Sequence, residues 1–161
     1  HSDLFFDVHL MVNRVDKFLD DYVKAGSNII TFHYEIGENL NELVSKIKKN
    51  KIRAGIAIKP KTTVNEIKKY LHIVDQIIIM TVEPGFGGQS FLSDQIKKIK
   101  DISNYVKENN LKVDIEVDGG VNYETGKLCV EDGANILVAG SFLFKQDNLT
   151  IATDKINDFF N

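Results

Sequence analysis

Short apolar segments alternate along the chain with segments in which apolar residues recur every three or four positions. The short apolar runs predict buried strands, and the longer period predicts helices with one buried face. Strict alternation of the two, without hairpin turns, is typical of a parallel sheet covered by helices. The predicted strands are LFFDVHLMV (4–12), NIITFHY (28–34), RAGIAI (53–58), QIIIMTV (76–82), KVDIEVD (112–118) and NILVAG (135–140).

The predicted helices lie between and after these strands. Several begin with Asn, Thr, Ser or Asp, which suit N-caps, and two end at Gly26 and Gly133, which suit C-terminal glycines. No linker or low-complexity segment interrupts the alternation, so we predict a single domain over residues 1–161. The helical segments are 15–26, 39–50, 62–74, 93–110, 122–133 and 147–160.

Three of the strands have one polar and one apolar face. Helices pack on both faces of an open doubly wound sheet, so both should be apolar. A (β/α)₈ barrel instead uses one face for its interior, with its active site at the carboxyl ends of the strands. The pattern favours the barrel, although six βα units are two fewer than it needs. The polar faces comprise Asp7, His9 and Met11; Thr31, His33 and Glu35; and Asp114, Glu116 and Asp118.

Composition excludes several classes of protein. The 161 residues are 43% hydrophobic, enough for one core, and the net charge of −3 argues against a nucleic-acid partner. The single cysteine, Cys129, excludes an internal disulfide framework and indicates a reducing compartment. No apolar stretch approaches the length of a membrane span and no signal peptide is recognisable. We expect a cytoplasmic protein without a membrane partner.

Glycine-rich segments follow three successive predicted strands. They are PGFGGQ (84–89), DGGVN (118–122) and GSF (140–142). Backbone N–H groups in such loops can bind a phosphate, and barrels commonly bind phosphate in the loops after the last two strands. The first segment alone could be a tight turn without a ligand. Three such loops at one rim predict phosphate binding.

Asp118 and His9 are the candidate chemical groups at the same rim. They could share a metal ion or perform acid–base chemistry. Each also has a structural alternative, since a strand histidine is often only hydrogen-bonded and an Asp before Gly-Gly often forms a turn. Two ligands are fewer than the three that a catalytic metal site normally takes from protein.

The stretches FFDVHLMV, ITFHYE, GIAIKPKT, IMTVEPGFGGQSF, VDGGVN and GANILVAGSFLF together resemble the ribulose-phosphate 3-epimerase family, in order and spacing, along the whole chain. The resemblance implies a (β/α)₈ barrel that interconverts D-ribulose 5-phosphate and D-xylulose 5-phosphate. In that family two aspartates on opposite faces of C3 exchange the proton through a 2,3-enediolate. A divalent metal ion neutralises the developing charge, with zinc expected first and iron, manganese or cobalt as alternatives.

The resemblance also implies roles for individual residues. Asp118 matches the aspartate that is both acid–base group and metal ligand, and His9 matches a metal-binding histidine that also contacts substrate. His33, Asp7 and Glu116 are expected to support the site, and Lys59 to be a charged, non-catalytic rim residue. Substrate and phosphate are expected to contact Met11, Met80, Gly85, Phe86, Gly87, Gly88, Gly119, Gly120, Gly140 and Ser141.

The chain departs from the family pattern at its start. It begins at the strand that is third in the family's barrel, so it resembles the last six βα units, about three-quarters of the whole. The family's His-x-Asp motif, with the other catalytic aspartate and another metal ligand, has no counterpart here. We therefore expect the 161 residues to belong to a longer chain, or to have little activity alone.

Two alternatives follow from this reading. One is an epimerase of a six-carbon ketose phosphate on the same scaffold. The other is a non-catalytic remnant that binds a sugar phosphate or a partner chain. Family members assemble as dimers or larger, so we expect a homo-oligomer.

Overall fold

The computed structural model describes residues 3–37 and 39–161 and forms one sheet of six parallel strands. The strands lie in chain order, each paired with the next. Strands in consecutive order, each followed by helical structure, are the arrangement that a (β/α) barrel requires. The strands are β1 (Asp7–Leu10), β2 (Ile29–His33), β3 (Arg53–Ile58), β4 (Gln76–Met80), β5 (Asp114–Asp118) and β6 (Ile136–Val138).

The helices confirm most of the predicted segments. Asn39, Asn122 and Asn148 accept hydrogen bonds from main-chain N–H groups of the first helical turn, as N-caps do. Gly26 and Gly133 have the positive φ expected after a helix. The helices are α1 (Val15–Lys24), α2 (Leu40–Lys49), α3 (Val64–Ile67), α4 (Gln95–Glu108), α5 (Tyr123–Glu131), α6 (Gly140–Leu143) and α7 (Leu149–Asn157).

Some predicted elements differ in extent from the structure, and β1 covers only Asp7–Leu10 of the strand predicted over 4–12. The segment 62–74 is not one α-helix, because α3 changes to a 3₁₀ helix over Lys68–His72. The strand predicted over 135–140 ends at Val138, which pairs with Asp118, the last residue of β5. Beyond that pair β6 has no strand to continue along, and Gly140 begins α6 instead.

The two faces of the sheet differ in what covers them. The main hydrophobic core lies between the outer face and the helices, where Phe32, Ile56, Ile77 and Val117 are fully buried. A separate small cluster on the inner face contains Ala57, Ile78, Met80 and Val82. One helix-covered face and one interior face are the arrangement predicted from the strand polarity.

Contacts across the inner face show that the sheet curls. β1 and β5 are separated by three strands, so in a flat sheet they would lie about 19 Å apart at about 4.8 Å per strand. The His9 Nδ1 and Asp118 Oδ2 atoms are nevertheless 3.4 Å apart. Gln76 of β4 likewise donates to Asp7 of β1, at 2.9 Å. The six strands therefore form a curved, half-barrel sheet.

Polar residues bind neighbouring strands together at their amino ends. Asn28, Asp75 and Asn135 directly precede β2, β4 and β6. Each side chain accepts a main-chain hydrogen bond from the preceding strand or the residue next to it: from Phe6, just before β1, at 2.7 Å, from Ala54 of β3 at 2.8 Å and from Ile115 of β5 at 2.7 Å. These contacts fix strand starts on the side of the sheet opposite the glycine-rich loops.

Over residues 3–37 and 39–161, the helices are all too short or too polar to cross a lipid bilayer.

Candidate active site

A cavity of about 320 Å³ opens at the carboxyl ends of β4, β5 and β6. The three glycine-rich segments all contribute to its wall, as the sequence predicts. Asp118 is the one carboxylate among the described residues that line it. The lining residues are Met11, Met80, Val82, Pro84, Gly85, Phe86, Gly87, Gly88, Gln89, Asp118, Gly119, Gly120, Val121, Val138, Ala139, Gly140 and Ser141.

Close packing explains why glycine follows Asp118. A Cβ at Gly119 would lie 2.5 Å from a methyl of Val82, and one at Gly120 would lie 2.6 Å from the main-chain nitrogen of Phe91. Both glycines also have positive φ, which side-chain-bearing residues adopt at a cost. The DGG turn therefore packs directly beneath the loop that contains PGFGGQ.

The PGFGGQ loop is held by its own glutamine. The Gln89 side chain donates to the carbonyls of Glu83, at 2.7 Å, and Phe86, at 2.9 Å. At the base of the loop, the Leu92 N–H donates to the Thr81 carbonyl at 2.8 Å. These bonds fix the loop ends, while the Phe86 side chain is 75% exposed beside the cavity.

Four side chains form a continuous series across the inner face, which we call the histidine chain. Glu35 Oε2 lies 3.3 Å from His33 Nδ1, and His33 Nε2 lies 3.0 Å from His9 Nε2. His9 Nδ1 lies 3.4 Å from Asp118 Oδ2. Thus the histidine chain connects Glu35, which lines a neighbouring cavity of about 250 Å³, to the carboxylate in the main cavity.

Glu35 is fixed by donors from the loop after β3. Its Oε1 accepts the Lys59 main-chain N–H at 2.8 Å and a short hydrogen bond from the Thr62 hydroxyl. Partial burial would raise the pKa of Glu35, but hydrogen bonds from His33, Thr62 and Lys59 outweigh it and lower that pKa to about 2. Glu35 is therefore an ionised hydrogen-bond acceptor at neutral pH.

A second polar layer lies below the histidine chain. Gln76 donates to Asp7 at 2.9 Å and to the buried Glu116 at 2.6 Å. Burial, followed by the charge and hydrogen bond of Asp7, raises the pKa of Glu116 to about 9. Glu116 is therefore a neutral carboxylic acid at pH 7, two residues before Asp118 on the same strand.

His9 and Asp118 fit a shared metal ion by donor chemistry and distance. Two ligand atoms each 2.0–2.2 Å from a tetrahedral zinc ion lie roughly 3.3–3.6 Å apart, and the His9 and Asp118 atoms are 3.4 Å apart. Within residues 3–37 and 39–161, no three His, Cys, Asp or Glu side chains form a group that could hold a metal. The described residues thus offer a pair of ligands, as the sequence predicts.

The structure brings together most of the predicted site residues. All of the predicted substrate-contacting residues except His9 line the main cavity, and His9 contacts Asp118 from behind it. Asp7 and Glu116 lie one layer below. Sequence reasoning missed Gln76, which joins those two carboxyl groups. The period of two along β4 places Gln76 on the same face as Met80, so the signal was present.

Comparisons with known proteins show which family the chain resembles. The model of the "Ribulose-phosphate 3 epimerase family" matches residues 1–144. A ribulose-phosphate 3-epimerase of Chlamydia muridarum is 40% identical over 154 residues, covering 93% of this chain and 67% of the relative. The enzyme of that name from Bacillus subtilis is 40% identical over 156 residues, covering 96% and 72%.

Among solved structures, a mutant flavocytochrome b2 with pyruvate bound matches with a TM-score of 0.61. The identity is 19%, and the match covers 84% of this chain and 43% of that one. That likeness concerns the fold alone. The family match and the two close relatives go further, and by them the chain belongs to the ribulose-phosphate 3-epimerase family.

Proposed function

We propose that the protein interconverts D-ribulose 5-phosphate and D-xylulose 5-phosphate. The observation that carries the proposal is the 3.4 Å approach of His9 to Asp118 at the edge of a glycine-lined cavity. This contact joins an acid–base carboxylate, a possible metal ligand and a candidate phosphate site. Family membership supports the same reaction.

Asp118 is the proposed acid–base group. Its carboxylate removes the proton from C3 of the bound ketose phosphate, leaving a 2,3-enediolate, and later returns a proton to the same face. His9 and Asp118 would hold a divalent cation, zinc in the first instance, which supplies positive charge next to the enediolate oxygens. Met11, which directly follows β1, and Met80, at the end of β4, line the cavity and are proposed to flank the intermediate.

The glycine loops are proposed to hold the phosphate. Gly119, Gly120, Gly140 and Ser141 line one side of the cavity, and main-chain N–H groups in such turns suit an anion. Gly85 to Gly88 cover the cavity from above. Glycine there lets the sugar phosphate approach the main chain closely.

Inversion at C3 needs a second acid–base group on the opposite face of the substrate. Among the described residues that line the cavity, Asp118 is the sole carboxylate. We therefore expect the 161-residue chain alone to exchange the C3 hydrogen of one epimer faster than it interconverts the two.

Solvent exchange tests this proposal. Each epimer is incubated with the chain and Zn²⁺ in D₂O, and the C3 proton is followed by NMR. We expect that proton to be lost from one epimer, and Asp118→Asn to slow the loss by about 10³-fold, a typical effect of removing an acid–base group.

Glu83→Gln is the matched control, because Glu83 is an exposed carboxylate beside the same loop and does not line the cavity. It should exchange like the unsubstituted chain. Failure of the unsubstituted chain to exchange either epimer, or full exchange by Asp118→Asn, would contradict the assignment.

Cytoplasmic location and self-association stay predictions.

A further inference from the structure

The Glu35 end of the histidine chain determines which of its atoms donate and which accept. The hydrogen bonds from Glu35 to His33 and from His33 to His9 each need one donor and one acceptor, and a neutral imidazole offers one of each. Glu35 is an ionised carboxylate that already accepts from the Lys59 N–H and Thr62 hydroxyl, so toward His33 it can only accept. His33 must then carry its proton on Nδ1.

The proton on His33 Nδ1 determines which atom donates in the contact between His33 and His9. With Nδ1 protonated, a neutral His33 has an acceptor at Nε2, and the 3.0 Å contact there requires His9 to donate from its own Nε2. Two unprotonated nitrogens would repel at that distance. His9 Nδ1 is left with a free lone pair, so its 3.4 Å contact with Asp118, the longest of the three contacts, is not a hydrogen bond.

We propose that Glu35 is a positioning residue that acts through His33: it fixes the proton of His33 on Nδ1 and that of His9 on Nε2. His9 then presents an unprotonated Nδ1 beside Asp118, the form required to bind a divalent cation. The inference rests on the proposed function only in assigning that cation, since the proton positions exist without metal or substrate.

Contacts around Glu35 hold the loop and the two histidine rings in place. Lys98 donates to the Pro60 carbonyl at 2.7 Å and to the Lys59 carbonyl at 3.3 Å, which fixes the loop whose N–H holds Glu35. His33 is 5% exposed and stacks on His9 with ring centroids 4.9 Å apart. Neither imidazole ring can rotate without breaking these contacts. Substitution of a residue that hydrogen-bonds to a metal-ligating histidine commonly lowers metal affinity 10–100-fold.

The test is ¹⁵N NMR of the four histidines, recorded without metal at about pH 9, well above the ordinary histidine pKa of about 6.5. In the unsubstituted chain we expect His33 protonated on Nδ1 and His9 on Nε2. Glu35→Gln should reverse both. Its amide oxygen keeps the Lys59 and Thr62 hydrogen bonds, so its NH₂ group faces His33 Nδ1 and donates to it.

Zinc provides the second readout. Titration with Zn²⁺ alone, followed by the ¹⁵N shift of His9 Nδ1, should require at least about ten-fold more zinc in Glu35→Gln. Glu66→Gln is the matched control, because Glu66 also pairs with a threonine, Thr63, but contacts no histidine in the described chain. It should match the unsubstituted chain in both readouts.

Two results would overturn the proposal. One is an unsubstituted chain in which His33 is protonated on Nε2, a result that needs no variant to fold. The other is a folded Glu35→Gln variant whose two histidines keep their proton positions. Because the proton positions are read without substrate, a failure here is distinct from a failure of the C3 exchange experiment.

Discussion

Polar side chains serve different purposes at the two ends of the strands. At the amino end, Asn28, Asp75 and Asn135 each accept a main-chain hydrogen bond from the neighbouring strand. Every such bond satisfies a backbone group that would otherwise be left without a partner as the sheet begins. These residues act on the fold.

At the carboxyl end, the polar side chains contact one another instead. His9 lies against both His33 and Asp118, and the backbone around them turns at glycines with positive φ. Such groups stabilise the fold little, yet they can bind ligands or exchange protons. Substitutions of these polar side chains are therefore expected to change the chemistry of the site more than stability, and substitutions at the amino end to weaken strand pairing.

The largest expected effect on stability is at Gly120. In Gly120→Ala the new Cβ would lie 2.6 Å from the nitrogen and 2.8 Å from the Cα of Phe91, both main-chain atoms, at a φ of +63°. Overpacking and the left-handed conformation together should lower the free energy of unfolding by about 2–4 kcal/mol, measured by urea denaturation.

Gly140→Ala is the matched control at the same rim. A Cβ there meets no atom within 4 Å, so the free energy of unfolding should change by less than about 0.5 kcal/mol. Equal losses in the two variants would show that the close approach of the DGG turn to the loop is unimportant.

The layer between the two ends should make stability depend on pH. Folding raises the pKa of Glu116 from 4.5 to about 9, through burial first. Between these values the folded chain holds a proton that the unfolded chain releases, so Glu116 lowers stability as pH rises. The slope from this group approaches about 1.4 kcal/mol per pH unit.

Glu116→Gln keeps a neutral group of the same shape, so it should lose this slope. The free energy of unfolding is measured by urea denaturation at pH 6 and pH 8. Its change between these two pH values should differ by about 2–3 kcal/mol between the unsubstituted chain and Glu116→Gln. Identical pH dependence in both would mean that Glu116 is ionised in the folded chain.

A smaller effect is expected at the amino end. In Asn135→Ala the Ile115 N–H loses its acceptor and Asp114 loses a donor, both bonds being 2.7 Å long. The free energy of unfolding should fall by about 1–2 kcal/mol, while C3 exchange per folded molecule stays unchanged. Reduced exchange in the folded variant would contradict the separation of the two ends.

Asn104→Ala supplies the control for that variant. Asn104 is exposed on α4, and alanine favours a helix, so stability should stay equal or rise by a few tenths of a kcal/mol.

The elements were predictable because their signals are local. The apolar runs predicted six strands and the N-cap residues predicted helix starts, and β3 begins and ends where expected, at Arg53 and Ile58. The prediction from sequence was wrong where the end of a strand depends on the strand beside it. β6 ends at Val138 because β5 offers no residue beyond Asp118 for it to pair with. No pattern within 135–140 contains that information.

Local patterns were enough to predict the alternation of strands and helices, the strand faces and the positions of the glycine turns. Periodicity and backbone freedom are properties of neighbouring residues, which explains this success. The contact between His9 and Asp118 depends on the folded sheet, since its curl brings together strands that a flat sheet would hold about 19 Å apart. The same curl brings the buried Glu116 of β5 near Asp7 of β1, because the curvature is set by the packing of all the strands that lie between them.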